Sequence, residues 1–135
     1  MANDWNSKII EEFRTNGGKV GGPFEGASLL LLTTTGAKSG QRRTTPLVYL
    51  PDGDRMIIFA SKAGAPTNPD WYHNLVAHPQ VTIEVGTETF EAASVVITGE
   101  ERDRLYAQQA ARNPGFAEYE KKTTRQIPVI ALERQ

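Results

Sequence analysis

The chain has 135 residues, with 15 lysines and arginines against 16 aspartates and glutamates and a net charge of −1, so it fits one domain and lacks the field that would hold a nucleic-acid backbone. It contains no cysteine, which excludes disulfides, thiolate catalysis, cysteine zinc sites and cysteine-ligated iron–sulfur clusters. Its longest apolar run, Leu29 to Leu32, is far short of the roughly 20 residues that span a bilayer, and the N-terminus lacks an apolar signal core; a soluble cytoplasmic protein is the expectation.

Residues 3 to 16 read as an amphipathic helix, capped by Asn3 or Asp4 and carrying Trp5, Ile9 and Phe13 on one face. Gly17 ends it, and the glycine-rich stretch to Pro23 reads as a flexible tether, which divides the chain into residues 1–22 and a body of 23–135. The apolar stripe has to cover something: the body itself, a site beneath a lid, or a membrane surface. Lys8, Arg14 and Lys19 stand against Asp4, Glu11 and Glu12, so without a basic excess the membrane contact is at most weak and peripheral.

Leu29 to Thr35 and Leu47 to Leu50 read as strands, with Pro46 placing the second at an edge or strand entrance. Pro51-Asp52-Gly53-Asp54 is a turn signal, and Arg55 to Ala60 makes a third strand, giving a three-stranded meander. Asn68 reads as the cap, and Pro69 as the first residue, of a helix through Trp71, Tyr72, Leu75 and Val76 that His78-Pro79 closes. Val81–Val85 and Glu88–Ile97 flank Gly86-Thr87 as a hairpin. Thr98-Gly99-Glu100-Glu101 fits a capping box before a helix over 102–112, with Leu105 and Tyr106 facing inward. Asn113-Pro114-Gly115 breaks that helix, Phe116 to Lys122 forms another, and Ile127 to Leu132 is a last strand. About six strands and four short helices without βαβ alternation predict a mainly β, α+β chain: a small, mostly antiparallel barrel decorated by helices.

The hairpin sequence GAKSGQRRTTP, Gly36 to Pro46, gathers three cations, three hydroxyls and two glycines. Gly36 and Gly40 allow positive φ, so main-chain N–H groups can face anionic oxygens while Lys38, Arg42 and Arg43 supply charge; Ser39, Thr44 and Thr45 add neutral donors. A solvated basic turn is the plain alternative. On a neutral protein, the target of such a grip is a small anionic ligand. The segment lacks the Walker spacing, and no G-x-G-x-x-G opens a helix, so neither nucleotide hydrolysis nor a dinucleotide fold is indicated. His73 and His78, separated by the helix end, do not form a metal pair, and Ser61 lies outside a nucleophile elbow. Glu11-Glu12 and Glu100-Glu101 read as solvated.

A strand ending at Ser61 and Lys62 leads into a helix whose first turn carries Trp71 and Tyr72, which gives a planar molecule rings to pack on near 59–62 and 70–74. Taken alone, Trp71 reads equally as ordinary core.

The stretches TTTGAKSGQRRTTPLVYL, FASKAGAPTNPDWYHNL, HPQVTIEV and RQIPVIALER, spanning roughly residues 28 to 133, resemble the deazaflavin-dependent nitroreductase family of flavin/deazaflavin oxidoreductases that use coenzyme F-420. The resemblance implies a split β-barrel related to FMN-binding reductases. It implies that Lys38, Ser39, Gly40 and Arg43, beside Ala37, hold the phosphate and polyglutamate tail. Thr44, Thr45, Pro46, Leu47 and Val48 would line the cofactor, and Phe59, Ala60, Ser61 and Lys62, with Asp70, Trp71, Tyr72, His73 and Asn74, would surround its rings. Hydride chemistry belongs to the cofactor, and the protein orients it and excludes water.

On the acceptor side the family supplies tyrosines from the late helix, and Tyr119 occupies one such position; Phe116 and Asn113 stand where some relatives carry more, and Val48 replaces an aromatic residue. A phenylalanine cannot hydrogen-bond a nitro or quinone oxygen, so quinone reduction is expected ahead of nitroimidazole activation. Ser61, near the reactive region, and Tyr119, orienting the acceptor or assisting protonation, are the expected catalytic residues. Two rivals keep the barrel: an FMN-dependent reductase, and a non-catalytic module that holds a lipid, haem or deazaflavin. Oligomeric state is left open, because split barrels often dimerise but nothing in the sequence forces it.

Overall fold

A computed structural model describes residues 4–21, 28–61, 67–123 and 125–135, without the side chains of residues 4–6. The elements are α1 (Asp4–Thr15), β1 (Leu29–Thr35), β2 (Arg42–Val48), β3 (Leu50–Asp52), β4 (Arg55–Phe59), α2 (Asp70–Ala77), β5 (Gln80–Val85), β6 (Glu88–Ile97), α3 (Gly99–Arg112), α4 (Gly115–Lys122) and β7 (Val129–Arg134).

The seven strands form one antiparallel sheet in the order β2-β1-β5-β6-β7-β4-β3. Its two edge strands, β2 and β3, are separated along the chain by Tyr49 alone. One residue spans at most about 3.6 Å, so the sheet has to curl until its edges meet, which makes a barrel with a seam. At that seam the Tyr49 amide donates to the Ser28 carbonyl at 3.0 Å.

This corrects the expected meander. The segment read as one strand, Leu47 to Leu50, is split: β2 pairs with β1 at one edge, whereas β3 pairs with β4 at the other. A run of apolar residues carries no mark of the bend inside it. Pro46 lies inside β2, opposite Leu31, where an edge strand tolerates its missing N–H.

Alternation along the strands sorts the core. Leu30, Leu32, Ile58, Ile83, Ile130 and Leu132 fill the barrel interior, closed at one end by Trp71 and Leu75 of α2. The opposite face of β4 and β7, with Ile57, Phe59, Val129 and Ala131, is covered by Leu105 and Tyr106 of α3 and Phe116 of α4. Both faces of β4 are therefore buried, which is why Met56–Phe59 reads as continuous apolar sequence rather than as alternation.

The α1 stripe covers the body: Ile9 and Phe13 pack with Val20, Leu29 and Leu31. Trp5, predicted on the same face, lies outside the described side chains, as do Gly22 and Pro23 of the linker. Past the helix, Gly18 at φ +93° sits so near the β5–β6 turn that a Cβ would lie 2.5 Å from the Gly86 Cα. Arg14 makes a two-pronged ion pair with Glu84, donating from Nε at 3.0 Å and Nη2 at 2.8 Å.

Two of the predicted helix caps are corrected. Asn68 does not cap α2, which starts after Pro69; its Oδ1 instead accepts a hydrogen bond from Arg125. Thr98 stands at the α3 N-cap without a side-chain bond, and Glu101 ion-pairs with Arg55 at 2.8 Å instead of closing a capping box. In both cases a long-range arginine wins the acceptor that local spacing had assigned to the backbone. The last strand starts at Val129 rather than Ile127, because the Ile127 carbonyl is taken by the Arg102 guanidinium.

Candidate active site

In the antiparallel order, β1, β6 and β4 run in one sense and β5 and β7 in the other. The carboxyl ends of β1 and β4 therefore face the same end of the barrel, and α2 closes that end. The cationic turn leaves β1 there, and the Ala60–Ser61 segment leaves β4 there.

Within the turn, Gly36 N–H donates to the Gln41 carbonyl (2.7 Å), Gly40 N–H to the Gly36 carbonyl (3.0 Å), and Gln41 N–H to Ser39 Oγ (3.2 Å). Ala37 N–H donates to Asn74 Oδ1 at 3.0 Å. The expected nest of anion-facing amides is thus largely used internally, leaving the amides of Lys38 and Ser39; the grip relies on side-chain charge. Gly36 is required by close packing, since a Cβ would meet Ser39 Oγ at 2.5 Å and the Gln41 carbonyl at 3.2 Å. Gly40 takes φ +72° with open space where a side chain would stand.

The three cations divide. Arg42 donates to Thr82 Oγ1 at 2.7 Å, and Thr82 donates on to Glu91 at 2.7 Å, which with Gln80 holds the Glu91 carboxyl below its usual range. Arg42 is thereby drawn across the sheet. Lys38 and Arg43 are exposed, and their side chains have no ion pair among the described residues. Thr44 shares a 2.8 Å hydroxyl–hydroxyl bond with Thr33, and Thr45, Pro46, Leu47 and Val48 are half-buried along the open edge of β2. Leu47 faces the barrel interior, and Val48 faces the α1 side.

Asn74 is buried and bridges two elements: its Oδ1 holds the turn at Ala37, and its Nδ2 donates to Thr34 Oγ1 at 3.3 Å. Of its neighbours on α2, Trp71 is core, only 7% exposed, while Tyr72 is half-buried and Asp70 and His73 are exposed. Phe59 packs edge-on against Tyr106 and Phe116, with centroids 5.8 and 5.6 Å apart, and Phe116 in turn against Tyr119 at 5.2 Å. This chain of rings joins the β4 end to the predicted acceptor side. Ala60 is fully buried and Ser61 nearly so. Lys62 lies outside the described residues.

Two arginines that sequence reasoning passed over organise this wall. Arg125 donates to Asn68 Oδ1 (2.7 Å), the Ala60 carbonyl (3.1 Å) and the Ser61 carbonyl (2.9 Å). Arg102, 6% exposed, donates twice to the Ile127 carbonyl and lies 4.8 Å from the Tyr106 ring. Tyr106 donates to the Phe116 carbonyl at 2.7 Å, and burial, with Glu120 adding to it, pushes its pKa up to about 12. The available signal was a cation set among apolar residues, as Arg125 is ahead of Ile127, Val129 and Ile130.

Residues 5–134 match the family model for F420H(2)-dependent quinone reductase. The chain belongs to that family. An F420H(2)-dependent quinone reductase of Mycobacterium tuberculosis is 42% identical over 127 residues, covering 91% of this chain and 85% of that protein. The solved structure of an F420-H2-dependent reductase, FDR-A, superposes with a TM-score of 0.72 at 37% identity, over 78% of this chain and 94% of the other. A Listeria innocua protein assigned as a pyridoxamine 5'-phosphate oxidase shares the fold alone, with a TM-score of 0.57 at 11% identity over 80% and 84% of the two chains. These neighbours share the curled, mostly antiparallel sheet, a split barrel. The donor set fits the family's cofactor: two cations without carboxylate partners among the described residues, beside an open glycine, suit an anionic tail.

Proposed function

We propose that this chain binds coenzyme F-420 through Lys38 and Arg43 and uses it, in the cytoplasm, to reduce quinones. The observation that carries the reading is that these two cations, without an ion pair among the described residues, lie at the same barrel end as Ser61 and α2. The bound cofactor supplies the hydride; a quinone takes that hydride and one proton to become a hydroquinone.

The chain's own residues do the rest. Lys38 and Arg43 hold the tail, and Arg42, committed to Thr82, sets the strand that carries Arg43. The interior face of β2, with Leu47, and the Phe59–Ser61 segment line the ring system with Tyr72, while Val48 packs on the α1 side; Trp71 and Asn74 support the rings from the core and the turn. Ser61 hydrogen-bonds near the reacting edge, and Tyr119, backed by Phe116, orients the acceptor and shields the proton transfer from bulk water. With Phe116 supplying no hydroxyl, nitroaromatic acceptors are reduced more slowly than quinones. The α1 stripe is spent on Leu29 and Leu31, which leaves little apolar surface for a membrane.

Fluorescence titration with F-420, with FMN in parallel, followed by turnover with menadione, tests this. The expected result is binding of the deazaflavin alone and oxidation of its reduced form by menadione. Preference for FMN would keep the barrel and change the enzyme. Binding without turnover would make the chain a carrier.

A further inference from the structure

The strand end at Ala60–Ser61 and the entrance to α2 at Asn68 converge on one side chain. Arg125 reaches both from the approach to β7, with Nη1 on Asn68 Oδ1 and Nη2 on the Ala60 and Ser61 carbonyls. A guanidinium is planar and its donors are fixed in a fork, so three acceptors in one fork lock the relative position of the two chain ends. The Ala60 amide is held as well, donating to the Pro128 carbonyl at 3.0 Å. Every peptide bond described is trans, so C=O and N–H of the Ala60–Ser61 peptide point in opposite directions. With the Ala60 carbonyl turned to Arg125, the Ser61 N–H points away from it, and that amide has no partner among the described residues. An oriented, nearly buried amide beside a cation is a strong donor looking for an acceptor.

We propose that Arg125 is a positioning residue for the reduction: it fixes the Ala60–Ser61 peptide so that the Ser61 N–H serves as a donor to the bound deazaflavin's ring system. The role rests on the cofactor reading above, but it separates from tail binding. Among the described residues Arg125 makes its hydrogen bonds to Asn68, Ala60 and Ser61 and none to residues 36–43, so it governs alignment of the rings and not retention of the tail.

Arg125→Gln and Arg125→Lys are compared with the wild type by hydrogen exchange of the cofactor-free protein, F-420 titration and single-turnover oxidation by menadione. In Arg125→Gln, exchange should quicken at 59–61 and 68–72 and stay unchanged at 36–43. F-420 affinity should stay within about threefold, while the rate of hydride transfer falls about tenfold or more. Arg125→Lys should recover part of the rate, because an ammonium can serve a carbonyl but not the whole fork. Quickened exchange with undiminished transfer would overturn the proposal, as would affinity and rate falling by the same factor. If Arg125→Gln fails to fold, the same three measurements on Arg125→Lys decide by the same criteria. A wild-type protein that binds no F-420 sinks the cofactor reading and this role with it, and that result is seen before any variant is made.

Discussion

The turn at 36–41 and the wall formed by Phe59–Ser61, α2 and α4 stand at the same end of the barrel and are built on opposite principles. Past Gly36 the turn is exposed and held by its own amides, with a part-buried tether to Asn74. The wall is buried, held by rings packed edge to face and by guanidinium groups that come from far along the chain. A cationic, water-facing turn can capture a charged tail in many poses; a packed wall can hold a ring in one. Affinity and alignment are thus assigned to different physics, and substitutions should separate them.

The widest separation is expected from the Lys38→Ala, Arg43→Ala double variant. Losing two charge-assisted contacts should weaken F-420 binding about 100-fold, with saturated turnover little changed, as read by fluorescence titration and steady-state assay. In the wild type the affinity should fall as salt rises, because these cations are exposed. Next, Ser61→Ala and Tyr119→Phe should each lower turnover with menadione by about tenfold at nearly unchanged cofactor affinity. Unchanged turnover in both would strip the wall of its catalytic part. Asn74→Ala crosses the boundary: it leaves the Ala37 amide and the Thr34 hydroxyl short of a partner, so denaturation should show a loss of about 2 kcal/mol and titration about threefold weaker binding.

Tyr106→Phe probes the wall alone and should cost about 1 kcal/mol, through the lost bond to the Phe116 carbonyl. Its pH signature is specific. The folded protein keeps this phenol protonated to a pKa of about 12, whereas the unfolded chain releases the proton near the ordinary tyrosine value of 10.0. Between those values the unfolded state binds fewer protons, so this contribution to stability is complete below pH of about 10 and is lost as pH rises through about 12. Equilibrium unfolding in that window should show a steeper decline for the wild type than for Tyr106→Phe.

How much of this was legible in the sequence follows from the range of each interaction. β1, β6, all four helices and the Gly86 turn are written in local periodicity and turn chemistry, and so is the cationic turn. The seam at Tyr49 was not, because the pairing partners of β2 and β3 are chosen by opposite edges of a sheet that local pattern does not contain. The caps at Asn68 and Thr98 were misread for the same reason: Arg125 and Arg55 compete from 57 and 46 residues away. At the site, the residue types that bind charge stood out, whereas the residues that hold the binders in place did not. Asn74 was placed at the rings by family resemblance, and its bonds to Ala37 and Thr34 became visible only in three dimensions.

β7 carries a consequence for how the molecule is assembled. It is the last strand in sequence yet occupies an interior place in the sheet, between β6 and β4, with Val129 to Leu132 entirely buried. Until residues 129–134 emerge from the ribosome, the β1–β2 and β5–β6 hairpins and the β3–β4 hairpin are separate pieces, joined through the backbone at Tyr49 but unable to close. Folding of the barrel therefore waits for the end of this segment's synthesis, and closure is a long-range event of the slow kind. Because β7 begins four residues after Arg125, the segment that completes the barrel also delivers the guanidinium that sets the wall.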